Sequence, residues 1–460
     1  MSDVLCPIAY GRLHYPKAHA LATLERLWTF EELDQATHAC MLKLREWKIS
    51  HRYPLAFLAK NNWHTIVLFF ALFRLGIIAC PLSPRLPPLQ LTQILEEIKA
   101  TLLTPFEIES APFSLQEATI QSEQPATLLF TSGSTGKPKI ACHSFQNYYY
   151  NAVGSNQISG LSLGDRWLLS LPLYHVGGLA ILFRCFLSGA TVVLPHPTLS
   201  SSLKHQSISF LSLVPTQLFR LIKEPPSFLE KCAKDIRCIL LGGAPISAPI
   251  LKQAADAGLK LCPTYGMTEM SSQITMNLQP TASCGKVLPF REIHTSSDGE
   301  ILVRGKTLFL GYWDPQAGLQ LPLNSEGWFF TSDYGEINST GELYFKGRKD
   351  LLFISGGENI QPEEIEIALL TLPGILDAVV VPLEDEEFGA RPVAFLQKQK
   401  DEDSSEKILE QLTNLLPRFK LPIYFFPMSD DSKESPLKKN RKYYARLAKE
   451  LVNEIRGPRG

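Results

Sequence analysis

The densest chemical signal in this 460-residue sequence is Thr131-Ser-Gly-Ser-Thr-Gly-Lys-Pro-Lys139, directly after the apolar run Ala126–Phe130. It holds four hydroxyls (Thr131, Ser132, Ser134, Thr135), two glycines (Gly133, Gly136) and two lysines (Lys137, Lys139). Glycine lets backbone amides approach an anion, hydroxyls donate hydrogen bonds and lysine supplies charge, so the pattern suits a polyphosphate. A Walker loop spaces its glycines more widely and follows Gly-Lys with Ser or Thr. Here Pro138 follows Lys137, and the Walker reading fails. Thr268-Glu269 pairs a hydroxyl with a carboxylate, the types of a helix cap and first-turn acid and also of a site for phosphate and a hard cation. Asp333, before Tyr334-Gly335, has the setting of a turn residue, yet a carboxylate also offers two oxygens to a vicinal diol. His175 stands alone among Tyr174, Val176 and Gly177, where a ring is ordinarily packed and satisfied. The basic run Lys438, Lys439, Arg441, Lys442, Arg446 and Lys449 reads either as one solvated helix face or as a source of charge for phosphates.

The elements that position these residues read as α/β. Thr29 and Glu32 have capping-box spacing, and Leu33, Ala36, Ala39, Cys40 and Leu44 recur at helical period. Strands are expected at Leu55–Ala59, Ile77–Leu82, Trp167–Leu171, Thr191–Leu194, Phe210–Val214, Cys238–Leu241 and Leu259–Cys262, alternating with helices as a mostly parallel sheet requires. Residues 64–82 are apolar enough to raise a membrane span, but Arg74, Gly76 and Pro81 interrupt them, so a buried helix and strand are expected instead. From about Ser283 short strands and turns signal a small β-rich subdomain, and after Gly347-Arg-Lys-Asp350 a separate helix–strand segment begins. Domains are therefore expected over residues 1–349 and 350–460. Two acidic clusters, Glu384–Glu387 and Asp401–Asp403, are expected on solvated loops. Lysine and arginine total 45 against 46 acids, a net charge of −1, which excludes a protein whose main business is coating nucleic acid. The nine cysteines contain no C-x-x-C pair and suit a reducing cytosol. With no signal-peptide pattern at the N-terminus, a cytoplasmic protein without membrane insertion is expected.

Thr131–Lys139 resembles the signature loop of the adenylate-forming superfamily of acyl- and aryl-CoA ligases, peptide-synthetase adenylation domains and beetle luciferases. The resemblance continues in order through Pro172-Leu-Tyr-His-Val-Gly-Gly178, Leu241-Gly-Gly-Ala-Pro245, Tyr265-Gly-Met-Thr-Glu269, Gly327-Trp-Phe-Phe-Thr-Ser-Asp333, Gly347-Arg-Lys-Asp350 and Ile354-Ser-Gly-Gly-Glu-Asn-Ile360. It implies a large N-terminal domain of layered α/β subdomains with the β-rich subdomain, then a small mobile α+β C-terminal domain. It also implies a two-step reaction. A carboxylate attacks the α-phosphorus of ATP, giving acyl-adenylate and pyrophosphate, and a thiol then displaces AMP. By this resemblance Thr131, Ser132, Gly133, Ser134, Thr135, Gly136, Lys137 and Lys139 hold the β- and γ-phosphates. Glu269, with Thr135, takes Mg²⁺, and Thr268 bonds the α-phosphate. Gly242, Gly243, Ala244, Tyr265 and Gly266 form the adenine segment. Asp333 takes the ribose, Arg348 adds a charge-assisted nucleotide contact, Asp350 is the hinge, and His175 is an aromatic gate to the acid tunnel.

The last motif departs from the family's pattern. Ser435-Pro-Leu-Lys-Lys-Asn-Arg-Lys442 keeps Pro436 and, six residues on, Lys442, but Arg441 replaces the usual glycine. Lys442 is the expected catalytic lysine, bridging carboxylate and α-phosphate, with Lys439 and Lys438 as alternatives. Leu173-Tyr-His-Val176 offers no Asp for an α-ammonium, which disfavours an amino-acid substrate. The short chain and the stretches Leu211-Ser-Leu-Val-Pro-Thr-Gln217, Gly356-Gly-Glu-Asn-Ile-Gln-Pro-Glu-Glu-Ile365 and Glu387-Phe-Gly-Ala-Arg-Pro392 look like the o-succinylbenzoate–CoA ligases of menaquinone synthesis. Expected partners are a small carboxylic acid, ATP and coenzyme A, and a homo-oligomer is compatible with the sequence. A CoA ligase for another acid and a catalytically weakened adenylate binder are the alternatives. Which residue meets the substrate's second carboxylate is left open.

Overall fold

Residues 64–82 fold as their pattern predicts. Asn62 caps the helix Trp63–Leu75 by accepting from the Thr65 amide at 2.9 Å, Gly76 ends it in the left-handed region (φ 67°), and the strand Ala79–Leu82 follows. The capping box is present as well: the Glu32 amide donates to Thr29 Oγ1 at 3.2 Å and the Thr29 amide to Glu32 Oε2 at 2.8 Å, starting the helix Phe30–Glu46. These elements belong to a computed structural model that describes residues 3–49, 53–104, 118–131, 139–243, 248–399, 404–428 and 441–456.

Two seven-stranded sheets organise the large N-terminal domain. The first runs Leu261–Pro263, Cys238–Leu241, Phe210–Leu213, Arg166–Leu168, Thr191–Val193, His19–Ala22, Leu27–Thr29, parallel except for its last pair. The second runs Gly318–Gln320, Gly311–Asp314, Lys139–Ser144, Pro125–Thr131, Ala79–Leu82, Leu55–Leu58, Thr101–Leu102. Its last four strands are parallel and its first three pairings antiparallel. The parallel strands read as continuous apolar runs because both their faces are covered. Helices Trp63–Leu75, Phe145–Ser159 and Val176–Ser188 meet in an aromatic cluster of Phe70, Phe73, Phe145, Tyr148, Phe183 and Phe186, with Phe70–Phe183 and Phe73–Phe145 centroids 5.7 Å apart. A helix enclosed in this way is apolar all round, which is why it resembles a membrane span in sequence. Among the described residues no helix is long and apolar enough to cross a membrane.

The β-rich segment is an antiparallel sheet ordered Arg291–Thr295, Glu300–Gly305, Phe329–Ile337, Leu343–Arg348. A small C-terminal domain follows. Its strands Ile375–Asp385, Gly389–Lys398 and Tyr424–Pro427 alternate strictly between two buried clusters. Ala378, Val380, Ala394 and Leu396 face the helices Pro362–Thr371 and Ser405–Thr413, while Val379, Val381, Val393 and Phe395 face the helix Arg441–Arg456. Glu384 and Asp385 end the first strand rather than lying on a loop; Asp401–Asp403 lie outside the described residues.

Arg74, which breaks the apolar run, is buried against Asp34 of the helix Phe30–Glu46, with Arg12 Nη1 3.4 Å from the other carboxylate oxygen. Removing one partner strands the other in the core. Asp34→Asn is expected to cost about 3–5 kcal/mol of stability by urea unfolding, and a loss below about 1 kcal/mol would show that the pair behaves like an exposed one.

Candidate functional site

The strands Pro125–Thr131 and Lys139–Ser144 form an antiparallel pair with Thr131 opposite Lys139, and Thr131 Oγ1 donates to the Lys139 carbonyl at 3.2 Å. The glycine- and hydroxyl-rich loop therefore connects two adjacent strands. Its residues Ser132, Gly133, Ser134, Thr135, Gly136 and Lys137, like Ala244, Lys438 and Lys439, lie outside the described residues. Lys139 is placed: its Nζ lies 4.7 Å from the ring centroid of Tyr312 on the neighbouring strand Gly311–Asp314. Tyr312 in turn donates its phenol proton to Glu269 Oε1 at 2.7 Å. Burial and the Glu269 charge push the Tyr312 phenol well above its ordinary range, so it stays a donor.

Glu269 is presented by a tight hairpin. Gly266–Met267 pairs with Ser272–Gln273, and a single 3₁₀ turn, Thr268–Met270, lies between them. Gly266 is required here because a Cβ would collide with the Ser272 carbonyl. Ser271 and Ser272 adopt φ of 57° and 116°, a strained return held by Ser271 Oγ donating to the Thr307 carbonyl at 3.0 Å. From beneath, His143 Nε2 donates to the Thr268 carbonyl at 2.7 Å. Complete burial lowers the His143 pKa to about 4, so it is a neutral prop for the turn at physiological pH. Thr268 and Glu269 thus sit on one short turn rather than starting an α-helix.

Asp333 lies inside the strand Phe329–Ile337, directly across from Arg348 on Leu343–Arg348, and is not a turn residue. It is 4% exposed. Tyr265, just beyond the carboxyl end of the strand Leu261–Pro263, donates to Asp333 Oδ2 at 2.7 Å. Oδ1 accepts no hydrogen bond among the described residues, although Arg348 Nη1 lies 3.4 Å away. Arg348 also donates from Nε to Asp350 Oδ1 at 2.9 Å. Burial opposes the Arg348 charge, but Asp350 and Asp333 outweigh it and hold the guanidinium firmly ionised. Burial raises the Asp333 pKa to about 6, with Arg348 and Tyr265 pulling down and the charges of Asp350 and Glu269 pushing up. Glu269 and Asp333 therefore sense one another across a single site. Gly242 and Gly243 follow the strand Cys238–Leu241, next to Thr264, whose amide donates to the Leu241 carbonyl at 2.9 Å. Carboxyl ends of parallel strands are where α/β sheets bind ligands.

Four expected residues are less central. His175 is exposed at the start of the helix Val176–Ser188, its ring 4.6 Å from that of Tyr174. Asn61 fixes this segment, donating to the Leu169 and Leu171 carbonyls at 3.0 and 2.9 Å and accepting from the Leu173 amide at 3.0 Å. Lys442 is exposed in the first turn of Arg441–Arg456. Of the expected basic face, Lys449 is paired with Glu384 at 2.7 Å and Arg446 lies 3.9 Å from Glu450.

The sequence reading passed over Tyr312, His143, Asn61 and two buried arginines. Arg184, within the apolar run of Val176–Ser188, donates to Asn151 Oδ1 at 3.2 Å and to Ser272 Oγ at 3.4 Å. Arg291 reaches the Gln273, Pro289 and Asn151 carbonyls. Neither has a carboxylate partner among the described residues, and the Arg184 Nε is unpartnered. Burial lowers their pKa values to about 10 and about 9, with Arg184 further opposing the charge on Arg291.

Glu269 Oε2 accepts no hydrogen bond among the described residues, and no three His, Cys, Asp or Glu side chains gather there as a metal cluster. That fits Mg²⁺, which takes one or two carboxylates and fills its sphere with phosphate oxygens and water.

The family model described as AMP-binding enzyme matches residues 12–114 and 102–313. The chain belongs to the AMP-binding enzyme family. The 2-succinylbenzoate–CoA ligase of Bacillus subtilis (strain 168) is 32% identical over 450 residues, covering 89% of this chain and 91% of that relative. The o-succinylbenzoate CoA synthetase of Bacillus subtilis in complex with the acyl-adenylate intermediate OSB-AMP superposes with a TM-score of 0.83 at 30% identity, covering 96% of this chain and 98% of that one. The same enzyme with ATP and magnesium ion gives a TM-score of 0.81 at 30% identity, over 93% and 96%. The α/β family fold with its large and small domains is thereby established for this chain.

The Asp333 carboxyl generates a prediction with a definite sign. Folded Asp333 keeps its proton to about pH 6 against a reference of 3.8, so the folded state binds more protons in that window. Its contribution to stability is fully present below the lower value and is lost as pH rises through the upper one. Relative to Asp333→Asn, the wild type is expected to lose up to about 3 kcal/mol between about pH 4 and about pH 7. Urea midpoints of both proteins across that range test this, and parallel profiles would contradict it.

Proposed function

We propose that this chain is an ATP-dependent acid–thiol ligase that activates 2-succinylbenzoate as its acyl-adenylate and transfers the acyl group to coenzyme A. The observation that carries this reading is the linkage of Lys139, Glu269 and Asp333 through Tyr312 and mutual charge, in a chain similar along most of its length to enzymes of that name.

In the first step a substrate carboxylate oxygen bonds to the α-phosphorus and pyrophosphate departs. In the second a thiol sulfur bonds to the acyl carbon, gives up its proton to solvent, and AMP leaves. Both steps build negative charge on oxygen, so fixed donors and cations aimed at that charge supply the rate. Thr131, Ser132, Gly133, Ser134, Thr135, Gly136, Lys137 and Lys139 are assigned to the β- and γ-phosphates and Thr268 to the α-phosphate. Glu269, with Thr135, is assigned to Mg²⁺, which when bound neutralises developing phosphate charge. Tyr312 supports this by occupying only one Glu269 oxygen. Asp333 is assigned to the ribose diol, supported by its unfilled Oδ1, with Arg348 beside it. Gly242, Gly243, Ala244, Tyr265 and Gly266 are assigned to the adenine, and His175 to the gate of the acid tunnel. Lys442 is assigned to the bridge between carboxylate and α-phosphate. Residues 1–349 carry the nucleotide and acid, residues 350–460 form the lid, and Asp350 is the hinge between adenylation and thioester formation.

The second carboxylate of 2-succinylbenzoate needs a cation, and Arg184 is the candidate. It follows His175 on the same helix, is buried without an acid partner and retains an unpartnered Nε. A buried charge without a counter-ion is expensive, and an anionic substrate group would relieve it.

Acid-dependent exchange between ATP and labelled pyrophosphate tests the reading. 2-Succinylbenzoate is expected to support exchange and, with coenzyme A, AMP release; a protein that merely held the adenylate would release no pyrophosphate. Lys442→Ala is expected to abolish adenylation and to spare thioester formation from supplied acyl-adenylate. Arg184→Gln is expected to raise KM for 2-succinylbenzoate about 10- to 100-fold, the loss of one charge-assisted contact, with KM for ATP unchanged. Equal effects on both substrates would remove Arg184 from the acid pocket.

A further inference from the structure

The helix Arg441–Arg456 begins with two cations and has no acid in its first turn, the reverse of what a helix dipole favours. The compensation comes from another helix. Arg441 donates from Nη1 to Glu366 Oε1 at 2.5 Å and from Nη2 to Glu366 Oε2 at 2.8 Å, a two-pronged pair, and again from Nη1 to the Val380 carbonyl at 2.8 Å. Glu363 Oε1 stands 4.0 Å off. Glu366 Oε1 also accepts from the Val380 amide at 2.7 Å, so both members are tied to the edge strand Ile375–Asp385.

Arg441 also lies on the helix's buried stripe. Tyr444, Ala448 and Val452 are closed to solvent against the sheet, and Arg441, one turn before Tyr444, extends that stripe as its polar end. Adjacent residues on an α-helix point about 100° apart, so an inward Arg441 directs Lys442 outward. The same network reaches back to the nucleotide site. Gln361 Nε2 donates to Glu363 Oε2 at 2.5 Å and to the Arg348 carbonyl at 2.8 Å, and Asp350 is among the charges acting on Arg441.

We propose that Arg441 is a positioning residue for adenylation: its bidentate pair with Glu366 sets the rotation of the last helix, and thereby the direction in which Lys442 is presented. This rests on the assignment of Lys442 made above. It accounts for arginine standing where the family's pattern has glycine. A flexible glycine before the lysine is replaced by a side chain that fixes the helix start from within the domain.

The test separates half-reactions. Arg441→Met keeps the bulk of the side chain and removes its hydrogen bonds, and Glu366→Gln weakens the pair from the other side. Each is expected to lower kcat for 2-succinylbenzoate-dependent pyrophosphate exchange, by up to about 100-fold for a small displacement of a catalytic group. KM for ATP and the rate of thioester formation from supplied acyl-adenylate should stay within about 2-fold, because Lys442 is not used there. Arg441→Lys, which retains one charged donor, should recover part of the loss. Parallel falls in both half-reactions, in step with a lowered melting temperature, would make the pair a structural prop and overturn the proposal. So would unchanged exchange in Arg441→Met. If instead the wild type gives no exchange, or Lys442→Ala retains it, the functional reading or the lysine assignment fails, a result distinguishable from failure of the Arg441 proposal.

Discussion

One guanidinium holds the site together electrostatically. Asp333 is buried, and the negative charges of Asp350 and Glu269 raise the cost of ionising it further. Arg348 lies between the first two, fixed by antiparallel register to stand opposite Asp333 and by sequence to stand two residues from Asp350. Without it, Asp333 would lose the largest influence that offsets its burial and would take up a proton more readily, leaving its open oxygen a hydroxyl or a weak acceptor. Register is therefore as much a part of the chemistry as residue type. A slip of one position would turn Arg348 to the other face of the sheet.

Arg348 also marks the place where the chain leaves the N-terminal sheet. Its side chain serves Asp333, while its carbonyl accepts from Gln361 at the start of the C-terminal helix Pro362–Thr371. The same residue thus belongs to the β-rich sheet and to the start of the C-terminal domain. Arg348, Asp350, Gln361 and Glu363 form a polar cluster where the two domains meet.

Much of this was legible in the sequence, for identifiable reasons. The capping box at Thr29, the helix and strand in residues 64–82 and the parallel strands follow from local pattern, and the motif residues announce themselves by type. Strand ends moved by one to three residues, as at Leu55–Leu58, Leu261–Pro263 and Arg166–Leu168, because the last hydrogen bond of a ladder depends on a neighbour that local pattern does not name. Tyr312 was invisible because its importance comes from pairing with Ala141, far away in sequence, which brings its phenol to Glu269. His143 was hidden similarly: its task is to hold the Thr268 carbonyl from the next layer. Of the two readings the sequence offers for Asp333, the turn residue is excluded because Tyr334-Gly335 lies within the strand.

The buried arginines show where sequence pattern reaches its limit. Arg74 and Arg184 look alike as sequence: a lone arginine late in an apolar helix, buried in the fold. One meets Asp34 in a closed ion pair, and its charge is accounted for inside the domain. The other meets amide and hydroxyl oxygens, and its neighbour is a second arginine similarly supplied. Neutral acceptors satisfy donors without cancelling charge, so the free energy of burying Arg184 and Arg291 is only partly offset within this chain. Folding alone gives no reason to retain two such groups side by side. An anion delivered from outside would cancel that charge, and the distinction between a structural cation and a binding one rests on the partner that three-dimensional proximity supplies or withholds.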